Sequence, residues 1–184
     1  MCDDSVRFET LMGTGGVAVC DSSKLVRLID DWIEGRNLDG QHRPWATGYW
    51  IPEALCGDLA TAETLHDATG IGVQIRKLVA PYPDSLSKNI IKWCSEEIRQ
   101  KLSLLERLIG DEQSIEFGLC LSDITASMVR LAFARSRKYL RGFRSLDEQT
   151  KLLESSDYPV YQLALELSQR ERVEDTIGKI RRLL

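Results

Sequence analysis

The feature that most constrains the fold is a stripe. Leu86, Ile90, Cys94, Ile98, Leu102, Leu105 and Ile109 recur from Ser85 up to Gly110. Apolar residues three or four apart share one side of an α-helix. The spacing therefore predicts a long core helix that stops at the glycine.

A second apolar stretch follows it. "EFGLCLSDITASMVRLAF" spans residues 116–133, and from Ile124 to Phe133 it carries a single charge, Arg130, in a chain that is 28% charged. The lone acid ahead of that run is Asp123. The first N–H groups of a helix lack internal partners, and an acid at the third helical position satisfies them and suits the dipole. With Cys120 at the N-cap, Cys-Leu-Ser-Asp places Asp123 at N3, a capping box with a weak thiol as its first member. A core helix starting near Asp123, capped by Cys120 and Asp123, is the expectation.

Elsewhere the pattern is also mostly helical. Leu25, Leu28, Ile29, Trp32 and Ile33 recur at helical spacing between Asp21 or Ser22 as N-cap and Gly35 as stop. Residues 36–60, broken by Gly40, Pro44, Gly48, Pro52 and Gly57, read as a packed connection that leads to a helix near Ala60–Leu78. Ser145-x-x-Glu148 opens a short helix, Pro159 starts another, and Val173, Ile177, Ile180 and Leu184 supply a last amphipathic segment. Strand signal is confined to the front, where "VRFETLM" and "VAV" flank "GTGG" as a β-hairpin would.

Composition narrows the class. The chain has 184 residues, 43% of them hydrophobic, enough for a folded domain with a buried core. No apolar run of spanning length is evident and "MCDDSVRFET" is acidic and polar, so a soluble, cytoplasmic protein is expected, with no membrane association. Cys2, Cys20, Cys56, Cys94 and Cys120 are odd in number and widely spread, as reduced thiols are. His42 and His66 without paired cysteines make no zinc site, and a net charge of -4 argues against general nucleic-acid binding. One segment departs from the acidic balance: Arg130, Arg135, Arg137, Lys138, Arg141 and Arg144 precede the next acid, Asp147. A solvated helix face explains it; a docking patch for an acidic partner or an anionic ligand is the sharper account.

The order of pieces resembles the glutathione transferase superfamily, entered part-way through its thioredoxin-like half. "ETLMGTGGVAVCDSSKLVRLID" looks like that family's strand-turn-strand-helix piece, with Asp21-Ser22 at its acidic-Ser position. "KLSLLERLIGDEQSIEFGLCLSDITASMVRLAF" looks like its paired core helices, with Asp123 as the acid of the helical capping box, and "DYPVYQLALELSQRERV" is similar to the helix that follows. The resemblance implies a mainly α chain: a short N-terminal β-hairpin and helix over 1–36, partial thioredoxin-like, followed by an all-α helical domain over 37–184. It also implies carboxylate capture by Asp21, Ser22 and Ser23, with glutathione as a possible ligand and otherwise no cofactor. The family's nucleophile-activating residue lies on a unit that would precede this chain's hairpin, so the resemblance implies a protein that is not catalytic alone. Such a chain would act as an interaction module with a protein partner or as a homodimer. Two alternatives stay open. One is a glutathione-dependent transferase or thiol reductase, either with "CDSSKLVRL" laid on the active-site turn, which makes Cys20 the nucleophile, or with the activating residue on an upstream segment absent from this sequence. The other is an unrelated helical binding domain.

Overall fold

Among the described residues, every member of the buried apolar core except Leu140 lies on a helix. The computed structural model describes residues 5–9, 17–36, 52–64, 66–112, 114–141, 146–170 and 173–184. Its helices are α1 (Ser22–Ile33), α2 (Pro52–Thr61), α3 (Ile71–Val79), α4 (Asp84–Arg107), α5 (Ile115–Arg135), α6 (Leu146–Gln149, continued by a 3-10 turn over Thr150–Leu152), α7 (Tyr158–Ser168) and α8 (Val173–Leu183).

The stripe of α4 is buried as its spacing requires, with Leu86, Ile90, Cys94, Ile98, Leu102 and Leu105 inside. Each such side chain contributes roughly 1.5–3 kcal/mol by leaving water. The stripe packs along α5, whose Phe117, Cys120, Leu121, Ile124 and Met128 are buried too. α5 in turn covers α7, and α7 packs on α8. Further ties reach back to α4: Arg99 donates to the Leu184 carbonyl at 2.6 Å, and Arg181 meets Glu106 at 2.6 Å. α1 ends against α4 as well. Gly35 takes φ 76°, a left-handed conformation suited to glycine, and Asn89 of α4 donates to the Ile33 carbonyl at 2.8 Å.

Four expectations are corrected. The first concerns fold class: the interpretable architecture is helical, and a partial thioredoxin-like hairpin is not established. The β structure among the described residues is a lone antiparallel ladder of Ser5–Glu9 (β1) with Val17–Asp21 (β2). The link over 10–16 lies outside the described residues, and among the described residues no further strand joins the pair. An isolated two-stranded ladder is marginal in water and falls short of the sheet of a thioredoxin-like half, whereas the all-α part agrees with the expectation.

Second, helix formation around residue 60 is divided otherwise. α2 begins at Pro52, where a fixed φ and a missing N–H suit the first turn. The chain then leaves the helix after Thr61, and α3 starts only at Ile71. The break comes from Gly70 at φ 72° and from Asp67, whose carboxylate accepts from the Val73 N–H at 3.0 Å.

Third, α5 starts at Ile115, not near Asp123. Ser114 is its N-cap, and the Ser114 hydroxyl accepts from the Phe117 N–H at 3.1 Å. Cys120 and Asp123 therefore lie within the helix and cap nothing. Ser is the stronger N-cap, and Glu116 supplies the acid of the first turn.

Fourth, α5 is long and apolar enough to meet the length and hydropathy of a membrane-crossing helix, with a mean hydropathy of 1.4 over its window. Of that window 67% is buried inside the protein, as in the core helix of a bundle. The capping box at Ser145 falls partly outside the described residues.

Candidate functional site

α4 and α5 run antiparallel, joined by the short link from Leu108 to Ser114, and that geometry lines up two rows of polar side chains. On α4, Trp93, Glu97 and Lys101 follow one another every fourth residue. On α5, Asp123, Ser127 and Arg130 are spaced by four and three. Each row occupies one side of its helix, so the rows meet along the seam.

The contacts step along it. Lys101 Nζ sits 2.7 Å from Asp123 Oδ2, both side chains about one third exposed. The Ser127 hydroxyl donates to Glu97 Oε2. Deeper in, Arg130 Nε donates to Glu53 Oε1 of α2 at 2.7 Å, and the guanidinium lies 4.6 Å from the centroid of the Trp93 ring. Both members of that ion pair are buried. Glu53 Oε2 and the Tyr82 hydroxyl are buried near it without a hydrogen-bond partner among the described residues. The Tyr82 ring stacks at a tilt on Tyr139, 4.5 Å between centroids, and the Tyr139 hydroxyl donates to the Val79 carbonyl at 2.6 Å.

Burial sets the protonation of the seam. It raises the Glu97 pKa above the ordinary carboxylate value; Ser127, Arg130 and Lys101 oppose the rise and Asp123 adds to it. Burial also works against the Arg130 charge, but Glu53, Cys94 and Glu97 outweigh it and hold its pKa above the ordinary value. Hydrogen bonding to Asp123 raises Lys101. The thiols go the other way from reactivity: burial pushes Cys56 and Cys94 up to about 12 and raises Cys120 as well. A thiol with such a pKa is protonated at neutral pH and is a poor nucleophile. Among the described residues no three His, Cys, Asp or Glu side chains gather as metal ligands do.

Toward the closed end of the hairpin the seam turns apolar. Ile115 is 82% exposed, Leu119 55% and Leu104 36%. Ile115, Leu119, Ser122 and Ala126 follow at steps of four, three and four, so they form one outward row, opposite Ile124 and Met128 in the core. Ser122 is exposed and Ala126 half-buried. A separate cleft of about 560 Å³ between α7 and α8 is lined by Glu166, Gln169, Glu174, Asp175, Lys179 and Arg182 among others. Its walls carry charges of both signs and no aromatic or thiol group.

The sequence-predicted sites fall as follows. Cys20 and Asp21 end β2 and Ser22 and Ser23 open α1, as backbone positions; their side chains lie outside the described structure. Asp123 is in the seam, paired with Lys101. Arg130 is corrected from surface to interior, because Glu53 supplies its counter-charge there. The other members of the basic segment are not one open face: Arg135 pairs with Asp157 at 3.1 Å, Arg137 with Asp84 at 3.1 Å and Arg141 with Asp58 at 3.2 Å. Lys138 is exposed, and Arg144 is outside the described residues. Trp93, Glu97, Lys101 and Ser127 were not anticipated. Their signal was the four-residue repeat of Trp93, Glu97 and Lys101 on a helix already legible.

No curated protein and no solved structure matches the chain. A family model does, over residues 51–143, which take in α2 to α5, the seam and the outward row. None of these comparisons points to the glutathione transferase superfamily. With just over half of its length matched, the chain belongs to the family described as a domain of unknown function, DUF4037.

Proposed function

We propose that this chain is a protein-interaction module, not catalytic by itself, that receives a helical partner on the outward face of α4 and α5. One observation carries the reading: α5 is buried all round from Ser127 to Ala134, but nearer its start only the inner side is covered, and Ile115 and Leu119 stand more than half exposed one turn apart. Isolated exposed apolar residues are ordinary, but a row of them beside Leu104 is a surface that gains by being covered. The polar seam supports it from below. Lys101–Asp123 and Glu97–Ser127 hold α4 and α5 in register, so the face is presented rigidly. The free, buried thiols of Cys56, Cys94 and Cys120 suit a reducing, cytoplasmic setting.

The test is site-specific photo-cross-linking in cells that make the protein, with the cross-linker at Leu119 and, as control, at exposed Glu96 on another side of α4. Protein adducts at position 119 and not at 96 are expected. No adduct at 119 overturns the reading.

A further inference from the structure

Resting on that reading, we infer that the partner is a second copy of this chain, packed two-fold and antiparallel through the outward row of α5. The row is self-complementary in size. Reading from the N-terminal end it is large, large, small, small: Ile115, Leu119, Ser122, Ala126. Laid against itself in the antiparallel sense, with the two-fold axis between Leu119 and Ser122, it sets each Leu119 over a Ser122 of the other copy and each Ile115 over an Ala126. Every bulky side chain then meets a gap, the arrangement by which helix ridges fill grooves. A parallel pairing would instead stack Ile115 on Ile115 and leave the small residues facing a void.

α4 agrees with this axis. The contacts Glu97–Ser127 and Lys101–Asp123 set the register of α4 along α5. That register places Leu104, the third exposed apolar residue of the hairpin, close to the level of the same axis, where it meets Leu104 of the other copy. One symmetry operation thus covers Leu104, Ile115 and Leu119 together, as an isologous interface must. Charge follows the same pattern. Glu116, at the acidic start of α5, comes within one turn of the level of the other copy's Lys101–Asp123 pair, so the flank of the row that faces α4 carries charges of both signs. Two α4–α5 hairpins make a four-helix contact, smaller than a permanent interface, and the affinity expected is correspondingly modest.

The experiment is sedimentation equilibrium of the purified 184-residue chain from about 1 to about 200 µM, a range suited to an interface of that size. The mass should rise with concentration from 20.8 kDa toward twice that value. Leu119→Glu and Ser122→Lys, both at exposed positions, should each hold the chain at monomer mass with an unchanged circular-dichroism melt. Mixed in equal amounts they should recover a dimer, because Glu at 119 of one copy faces Lys at 122 of the other while Ser122 and Leu119 still pack in the second contact. A wild-type monomer throughout the range, or a dimer indifferent to both variants, overturns the inference. So does a dimer that both variants break and their mixture does not restore. A monomer that instead floats with phosphatidylcholine vesicles overturns it in favour of a lipid surface. A monomer whose position 119 cross-links to a different protein overturns the self-pairing but leaves the interaction reading standing; with no adduct either, both fail.

Discussion

Arg130 on α5 and Glu53 on α2 meet at 2.7 Å inside the protein, their side chains 3% and 4% exposed. A buried ion pair adds little net stability over apolar packing, but removing one partner strands a charge. Arg130→Met should therefore cost about 3–5 kcal/mol, and the double variant Arg130→Met, Glu53→Leu should recover most of it. Urea unfolding of the four proteins of the cycle measures both. A single variant as stable as wild type would mean that the pair is not buried.

The start of α5 makes a second contrast. Ser114→Ala removes an N-cap and should cost about 1 kcal/mol. Asp123→Ala removes only a part-exposed ion pair with Lys101, with an expected cost of about 0.2–1 kcal/mol. The order of the two melting temperatures decides it: Asp123→Ala should melt above Ser114→Ala, whereas a capping role for Asp123 demands the reverse.

Glu97 should give stability a pH dependence. Its folded pKa is raised, so between its ordinary value of 4.5 and the folded value the native state binds more protons than the unfolded one. Stability then falls as pH rises through that window and is recovered as pH falls back through it. Glu97→Gln keeps an acceptor for Ser127 but loses the linkage. Its unfolding free energy should exceed that of wild type at pH 7 and converge on it near pH 4, while a constant difference across that range would count against the burial of Glu97.

Two helical glycines should respond oppositely to alanine. A Cβ on Gly57 would lie 2.7 Å from Tyr139 Cβ, so Gly57→Ala should destabilise by about 1–3 kcal/mol through overpacking. A Cβ on Gly178 meets nothing within 4 Å, and Gly178→Ala in α8 should stabilise by about 0.5–1 kcal/mol. Thermal melts of the pair should move in opposite directions.

The buried thiols should be silent in the native state. In a chain carrying Cys2→Ser and Cys20→Ser, Cys56, Cys94 and Cys120 remain, all buried. Ellman's reagent at pH 8 should find almost none of them before denaturant and all of them after it. A fast-reacting thiol would contradict the packing of α2 and α4 on α5.

What was legible in the sequence and what was not divides along a physical line. Local periodicity determined α4, because an apolar stripe with polar flanks has only one side to bury. It determined much of α1 as well, through Leu25, Ile29, Trp32 and Ile33, and placed α7 by Pro159. Periodicity could not orient α5, which is apolar on most sides, and so it hid both the true start at Ser114 and the outward row of Ile115 and Leu119. The role of Asp123 depended on Lys101, 22 residues away in the chain, and the burial of Arg130 depended on Glu53, 77 residues away. Burying a charge is tolerated only where a counter-charge is delivered, and that delivery is an act of tertiary packing. The helices follow from residues three and four apart; which of their faces meet, and which one is left for a partner, was decided when α2 and α4 closed on α5.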